Sequence, residues 1–401
     1  MFTFRNRLFA ITLMSVLSSI LVYNTYADYD TTTGIQFREL PGIEPSHQSL
    51  DYFRPLAAEG EEAPSNLPVI LYVHGGRWMI GDKDIDQSPF VEYFTDQGFV
   101  VVSTNYRLSE DGKNQHPAQI EDVADAVGWI SDNIRYRSGN PRAIYLIGHG
   151  AGAHLVALLA TDHSRLIDVG VRPVDIKGVV LLEPLVLDLV ETMQSSELSK
   201  EYHKAAFGDN LEVWQDASPY FHIREDFPIV PHLIVAACPV GWPSPEHLNK
   251  LKTNHWSAIE HYTKKLQEND VRVDVVNAMQ YQSFRAVDRD LGTAGDQTTE
   301  VIASFISELE SHRTERNPVP TEGVVHTLKV EGEEWKEAAQ ELGNVVFDLW
   351  NFDNSRDLNT PIPSDALPED LQQNFVSWDT NNDKSLDREE IQAAFEALYP
   401  D

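Results

Sequence analysis

Residues 143–161 constrain this chain more than any other segment. The apolar run Ala143-Ile144-Tyr145-Leu146-Ile147 meets Gly148-His149-Gly150-Ala151-Gly152, and Ala153-His154 then opens a helical pattern to Thr161. Small residues on both sides of a turn allow a strand to reverse sharply into a helix packed against it. Similar apolar runs recur at Val69–Val73, Phe99–Ser103, Gly178–Leu182, His232–Ala237 and Val271–Val276. Amphipathic stretches separate them at Ile120–Ile134, His255–Leu266 and Thr298–Leu309. Continuous apolar strands alternating with helices specify an α/β class, with a mostly parallel sheet covered on both faces.

The 401 residues fit one large domain plus a smaller module. A net charge of −32 repels phosphate backbones and anionic headgroups, which argues against nucleic acid as a partner. Arg5 and Arg7, the apolar stretch Leu8–Tyr23 and the small residues Thr25 and Ala27 read as a signal peptide over residues 1–27. The expected location is therefore secreted or periplasmic, or membrane-anchored if the segment stays uncleaved. Apart from that segment, no membrane partner is expected. Cys238 is the only cysteine, so no intrachain disulfide can form.

Four motifs occur in order: His74-Gly75-Gly76-Arg77-Trp78, Tyr106-Arg107-Leu108, Pro117-Ala118-Gln119-Ile120-Glu121-Asp122 and Gly148-His149-Gly150-Ala151-Gly152. Together they resemble the carboxylesterase and kynurenine-formamidase-like branch of the α/β-hydrolases. The resemblance covers about Asp51 to Ser311 and implies an α/β-hydrolase fold. It also implies an oxyanion hole from the backbone N–H groups of Gly75, Gly76 and Ala151.

The elbow of that branch reads G-x-S-x-G, and here glycine stands at the serine position, Gly150. The family's acid maps to the loop Cys238–Pro243, where Gly241 takes its place and no aspartate lies between Asp226 and Asp270. The family's histidine maps to Phe284, with no histidine between His261 and His312. Nucleophile, base and orienting acid are thus all replaced, which argues against ordinary ester hydrolysis. Cys238 and Glu246 are the alternative reactive groups, while His74, His149, His154, Arg107 and Asp122 fit structural roles.

After a proline-bearing linker at 313–325, residues 326–401 carry eighteen acids against five lysines and arginines. The run Asp379–Glu390 places oxygen ligands at Asp379, Asn381, Asp383, Ser385 (through its carbonyl), Asp387 and Glu390. It resembles the EF-hand family and implies Ca²⁺ as the bound ion. Leu386 holds the apolar position through which such loops pair. Lys384 replaces the usual glycine at position six, and side chains there cost on the order of 1 kcal/mol. Asp353-Asn354-Ser355-Arg356-Asp357 opens a degenerate first loop, interrupted by Pro361 and Pro363.

The expected protein has a hydrolase-like domain over 28–312 and a small all-α EF-hand pair over 326–401. Three functions remain open: a non-catalytic protein with a pocket for a small molecule or protein ligand, an esterase using a non-standard group, and a calcium-stabilised structural protein.

Overall fold

The computed structural model describes residues 29–57, 60–110, 112–184, 186–195, 197–225, 227–236, 258–278, 287, 289–315, 318–328, 362–363 and 385–387. Nine strands form one sheet: β1 (Tyr29–Gln36), β2 (Ser49–Pro55), β3 (Leu67–Val73), β4 (Val100–Thr104), β5 (Gly139–His149), β6 (Ile176–Leu182), β7 (His232–Ala236), β8 (Val273–Ala278) and β9 (Val325–Leu328). Their spatial order is β1-β2-β4-β3-β5-β6-β7-β8-β9. Only the β1–β2 and β2–β4 pairs are antiparallel. From β4 to β9 every neighbour runs parallel.

Alternate strand residues feed two cores, as the pleat requires. On one face Leu71, Val102, Leu146, Leu181 and Ile234 are buried in the same core as residues of α2 (Ala118–Asn133) and α3 (Ala151–Thr161). On the other, Ile70, Val101, Tyr145, Val180 and Leu233 share a core with α1 (Pro89–Asp96) and α4 (Gln297–Glu315). Burial on both faces explains why the central strands read as unbroken apolar runs.

Two expected boundaries fall inside regular elements. Helix α4 continues to Glu315, past the expected domain end at 312. The linker end at 325 lies at the first residue of β9, so residues 325–328 belong to the large sheet. In the acidic tail, β10 (Ile362–Pro363) pairs antiparallel with β11 (Ser385–Leu386), a short sheet in a module expected to be all-α. Gly241, Phe284, Cys238, Glu246, the signal segment and the ligands Asp379, Asn381, Asp383 and Glu390 lie outside the described residues. Among the described residues, no helix is long and apolar enough to cross a membrane.

Candidate functional site

Parallel strands deliver their C-terminal ends to one edge of the sheet, where ligand sites of open α/β folds form. Gly150 follows β5 at that edge, with φ 52° and ψ −109°. This conformation is costly for residues with a side chain, on the order of 1–3 kcal/mol. Its N–H donates to Leu182 O at 2.8 Å, tying the turn to β6. The flanking glycines are required by close approach. A Cβ at Gly148 would stand 2.3 Å from Gly152 O, and one at Gly152 would stand 2.0 Å from Val73 O. The elbow therefore keeps its sharp turn and its packing against β3 while presenting no side chain.

Gly75 and Gly76 follow β3 beside this turn. A Cβ at Gly75 would approach His149 Nδ1 to 2.8 Å. Gly76 has φ 106°, and its carbonyl accepts from both Met79 N and Ile80 N at 3.0 Å. Arg77 and Trp78 continue with φ 58° and 61°, so the loop coils left-handed for three residues. Tyr106 braces it by donating to His74 O at 3.1 Å, and its ring stacks on His74 at 4.4 Å. Ala151 is the first residue of α3, where backbone N–H groups point out of the helix end. The three expected oxyanion-type positions are thus grouped at the C-terminal ends of β3 and β5.

His154 and His74, near the elbow, are held by structural contacts. His154 is wholly buried, its Nε2–H donates to Ala217 O at 2.7 Å, and its Nδ1 accepts from Trp78 Nε1 at 3.3 Å. Burial pushes its pKa down to about 3, so it is neutral and carries its proton on Nε2. His74 directs Nδ1–H to Gly75 O at 2.7 Å. Arg107 and Asp122 form a buried lock: Asp122 accepts from Arg107 Nε at 2.7 Å, Arg107 N at 2.8 Å and Gln48 Nε2 at 2.8 Å. Arg77 lies over the Tyr202 ring at 3.3 Å, joining the left-handed loop to the helix Glu197–Phe207.

One residue at this edge escaped sequence reasoning. Glu183 follows β6, is fully buried and has φ 50°. Its N–H donates to Val235 O at 2.8 Å, which fixes it one position beyond the His149–Leu182 pair and next to the elbow. Leu181-Leu182-Glu183-Pro184 reads as a strand ending in a surface charge, so only the tertiary neighbours reveal a buried carboxyl.

Superposition on solved structures settles the architecture. The chain matches Esterase B from Lactobacillus rhamnosis with a TM-score of 0.55 at 16% identity, covering 77% of this chain and 96% of that one. A truncated carbohydrate esterase from gut microbiota gives 0.52 at 15% identity, covering 72% and 98%. This chain has the α/β-hydrolase fold. Residues 56–237 match the BD-FAE family model. Esterase LipQ of Mycobacterium tuberculosis is 30% identical over 183 residues, covering 44% of this chain and 42% of that protein. The probable carboxylic ester hydrolase LipM of the same species is 30% identical over 177 residues, covering 40% and 39%. The alignments thus span about two fifths of the length of these relatives.

Proposed function

We propose that this is a secreted, calcium-binding α/β-hydrolase-like protein whose pocket binds a ligand without hydrolysing it. One observation carries the non-catalytic reading: the elbow backbone is retained at φ 52°, ψ −109°, and the residue held there has no side chain. A hydrolase of this fold needs a hydroxyl or thiol at that point, with a base to take its proton. The expected acid and base positions, Gly241 and Phe284, offer neither chemistry. What the elbow retains is a set of backbone donors from Gly75, Gly76 and Ala151, suited to a carbonyl or carboxylate oxygen of a small molecule or peptide.

The rival reading is an esterase, and it draws support from relatives named as esterases. It would require Cys238 or Glu246 to act in place of serine. A fluorophosphonate probe and short-chain nitrophenyl esters separate the two. The proposal expects no covalent labelling and no turnover above buffer, and measurable turnover by the purified protein would remove it. Export is supported by the N-terminal segment, and protein recovered outside the cell should begin at Asp28.

The calcium reading rests on the ligand spacing of Asp379–Glu390 and on the pairing of Leu386 with Ile362. Leu386 is position eight of that loop, the place where paired loops meet. Counted from Asp353, position eight of the degenerate loop is Thr360, two residues before Ile362. The pairing is consistent with a non-binding partner that supports the second loop. Calorimetry should detect Ca²⁺ uptake with a Kd of about 10⁻⁵ to 10⁻³ M, weak because Lys384 occupies the turn. Glu390→Gln should weaken uptake at least tenfold. Unchanged uptake in that variant would take Glu390 off the ligand list.

A further inference from the structure

The elbow stands between two strands whose ends differ in chemistry. The sheet runs β3-β5-β6, so the Gly75-Gly76 loop flanks Gly150 on one side and the end of β6 flanks it on the other. The β3 side offers backbone N–H groups, and Ala151 adds another from the first turn of α3. The β6 side offers a carboxyl, that of Glu183.

Glu183 is fixed to the elbow through a single peptide. The carbonyl of the Leu182–Glu183 peptide accepts from Gly150 N–H at 2.8 Å, and its N–H donates to Val235 O at 2.8 Å. Pro184 has no N–H with which to continue the ladder, so β6 ends here. Two features of Glu183 are unusual for its residue type. Its φ of 50° lies in a region that residues with side chains seldom adopt, and the residue is wholly buried. A carboxylate out of water is strongly stabilised by positive charge brought to it.

We infer that Glu183 selects the ligand of the elbow niche: a molecule with an ammonium group on the carbon next to its carbonyl or carboxylate carbon. Free α-amino acids, their amides and peptide N-termini share this chemistry. The inference rests on the ligand-binding reading above. The ligand oxygen lies toward the backbone donors of Gly75, Gly76 and Ala151, and its nitrogen toward Glu183. Neighbouring strands are about 4.8 Å apart. Three bonds separate nitrogen from oxygen in such a ligand, and the rotatable glutamate side chain covers the difference. A simple ester or an amino-free amide offers the same oxygen without the positive charge. A plain carboxylic acid adds a second negative charge beside Glu183, which opposes its binding.

The experiment is titration calorimetry at about pH 7, where an α-amino group is mostly protonated. The probes are L-alaninamide, L-leucinamide and L-phenylalaninamide, each beside the matching amide that lacks the amino group. In at least one pair the amino compound should bind the unmodified protein about tenfold more tightly, the scale of a hydrogen bond to a charged group. Glu183→Gln keeps the shape and removes the charge, so most of that preference should go while binding of the amino-free amide stays. Glu183→Asp keeps the charge and should retain part of the preference. Thermal unfolding checks that each variant is folded, and the comparison within each pair on the unmodified protein needs no variant. Equal affinity within every pair overturns the inference and leaves the ligand-binding reading standing. An undiminished preference in folded Glu183→Gln does the same, because the ammonium would then be read by another group. If no probe binds at millimolar concentration, the inference falls together with the ligand-binding reading for carbonyl compounds.

Discussion

Between pH 6.5 and 4.5 the protein is expected to lose stability steeply, because three buried imidazoles must stay neutral in the folded state. His154 is held at about 3, and His203 and His232 at about 4, with burial the largest cause in each case. Their bonding accommodates the neutral form. His203 Nδ1–H donates to Ser199 O at 2.7 Å. His232 Nδ1–H donates to Val230 O at 2.7 Å, and its Nε2 accepts from Tyr262 Oη at 3.1 Å. Unfolded histidine titrates near 6.5, about two and a half to three and a half units higher than these folded values. As pH falls through that window the unfolded chain binds more protons, so stability drops with falling pH.

With all three groups contributing, the slope approaches about 4 kcal/mol per pH unit near pH 5. Carboxylates on the acidic surface begin to protonate below that point, which relieves self-repulsion and flattens the curve. Urea unfolding at pH 7.5, 6.5, 5.5 and 5.0 measures the slope directly. Replacing His203 with Met should reduce it by about one proton. A stability that stays flat from pH 7.5 to 5.0 would show that these rings are protonated when folded.

The six central strands could be located from sequence because burial on both faces makes each a run of apolar residues. Strands β1 and β2 could not. β1 is partly exposed along its length, carries a bulge between Thr32 and Ile35, and has the polar sequence Tyr29–Gln36. β2 mixes Ser49, Asp51 and Arg54 with its apolar residues, and Asp51 is buried only because Lys83 Nζ and Gly34 N meet it at 2.8 and 2.7 Å. β9 is four residues long, and its position is set by Gly323 against Val273 and by Asp274, fifty residues away from Val324. Such contacts leave no local period to read.

The site was legible wherever backbone geometry demands glycine. Gly148, Gly152, Gly75 and Gly76 each meet a neighbouring backbone or side-chain atom that no Cβ could face at the observed separation. Glu183 was not legible, because nothing in Leu182-Glu183-Pro184 distinguishes a buried carboxyl from a charge at a loop entrance. Its burial comes from β5 and β7 on either side of β6.

Gly150→Ser will test what the vacant elbow lacks. The backbone already holds φ 52° and ψ −109°, so the new side chain is placed without moving the turn, at a strain cost on the order of 1–3 kcal/mol. No gain in esterase activity is expected from this change alone. His154 has both ring nitrogens engaged, by Ala217 O and Trp78 Nε1, and His74 directs one nitrogen to Gly75 O. The position expected from the sequence for a base is Phe284. Without a general base the hydroxyl keeps its proton at neutral pH and attacks poorly, and backbone donors stabilise only a charge that has already formed. Adding Phe284→His and Gly241→Asp to Gly150→Ser should raise nitrophenyl ester turnover on the order of a thousandfold over the single variant, because the triad acts as a unit. Thermal unfolding of each variant separates a missing base from a missing fold. Turnover by Gly150→Ser alone, well above that of the unmodified protein, would show that a base already faces the elbow and that glycine is the only lesion.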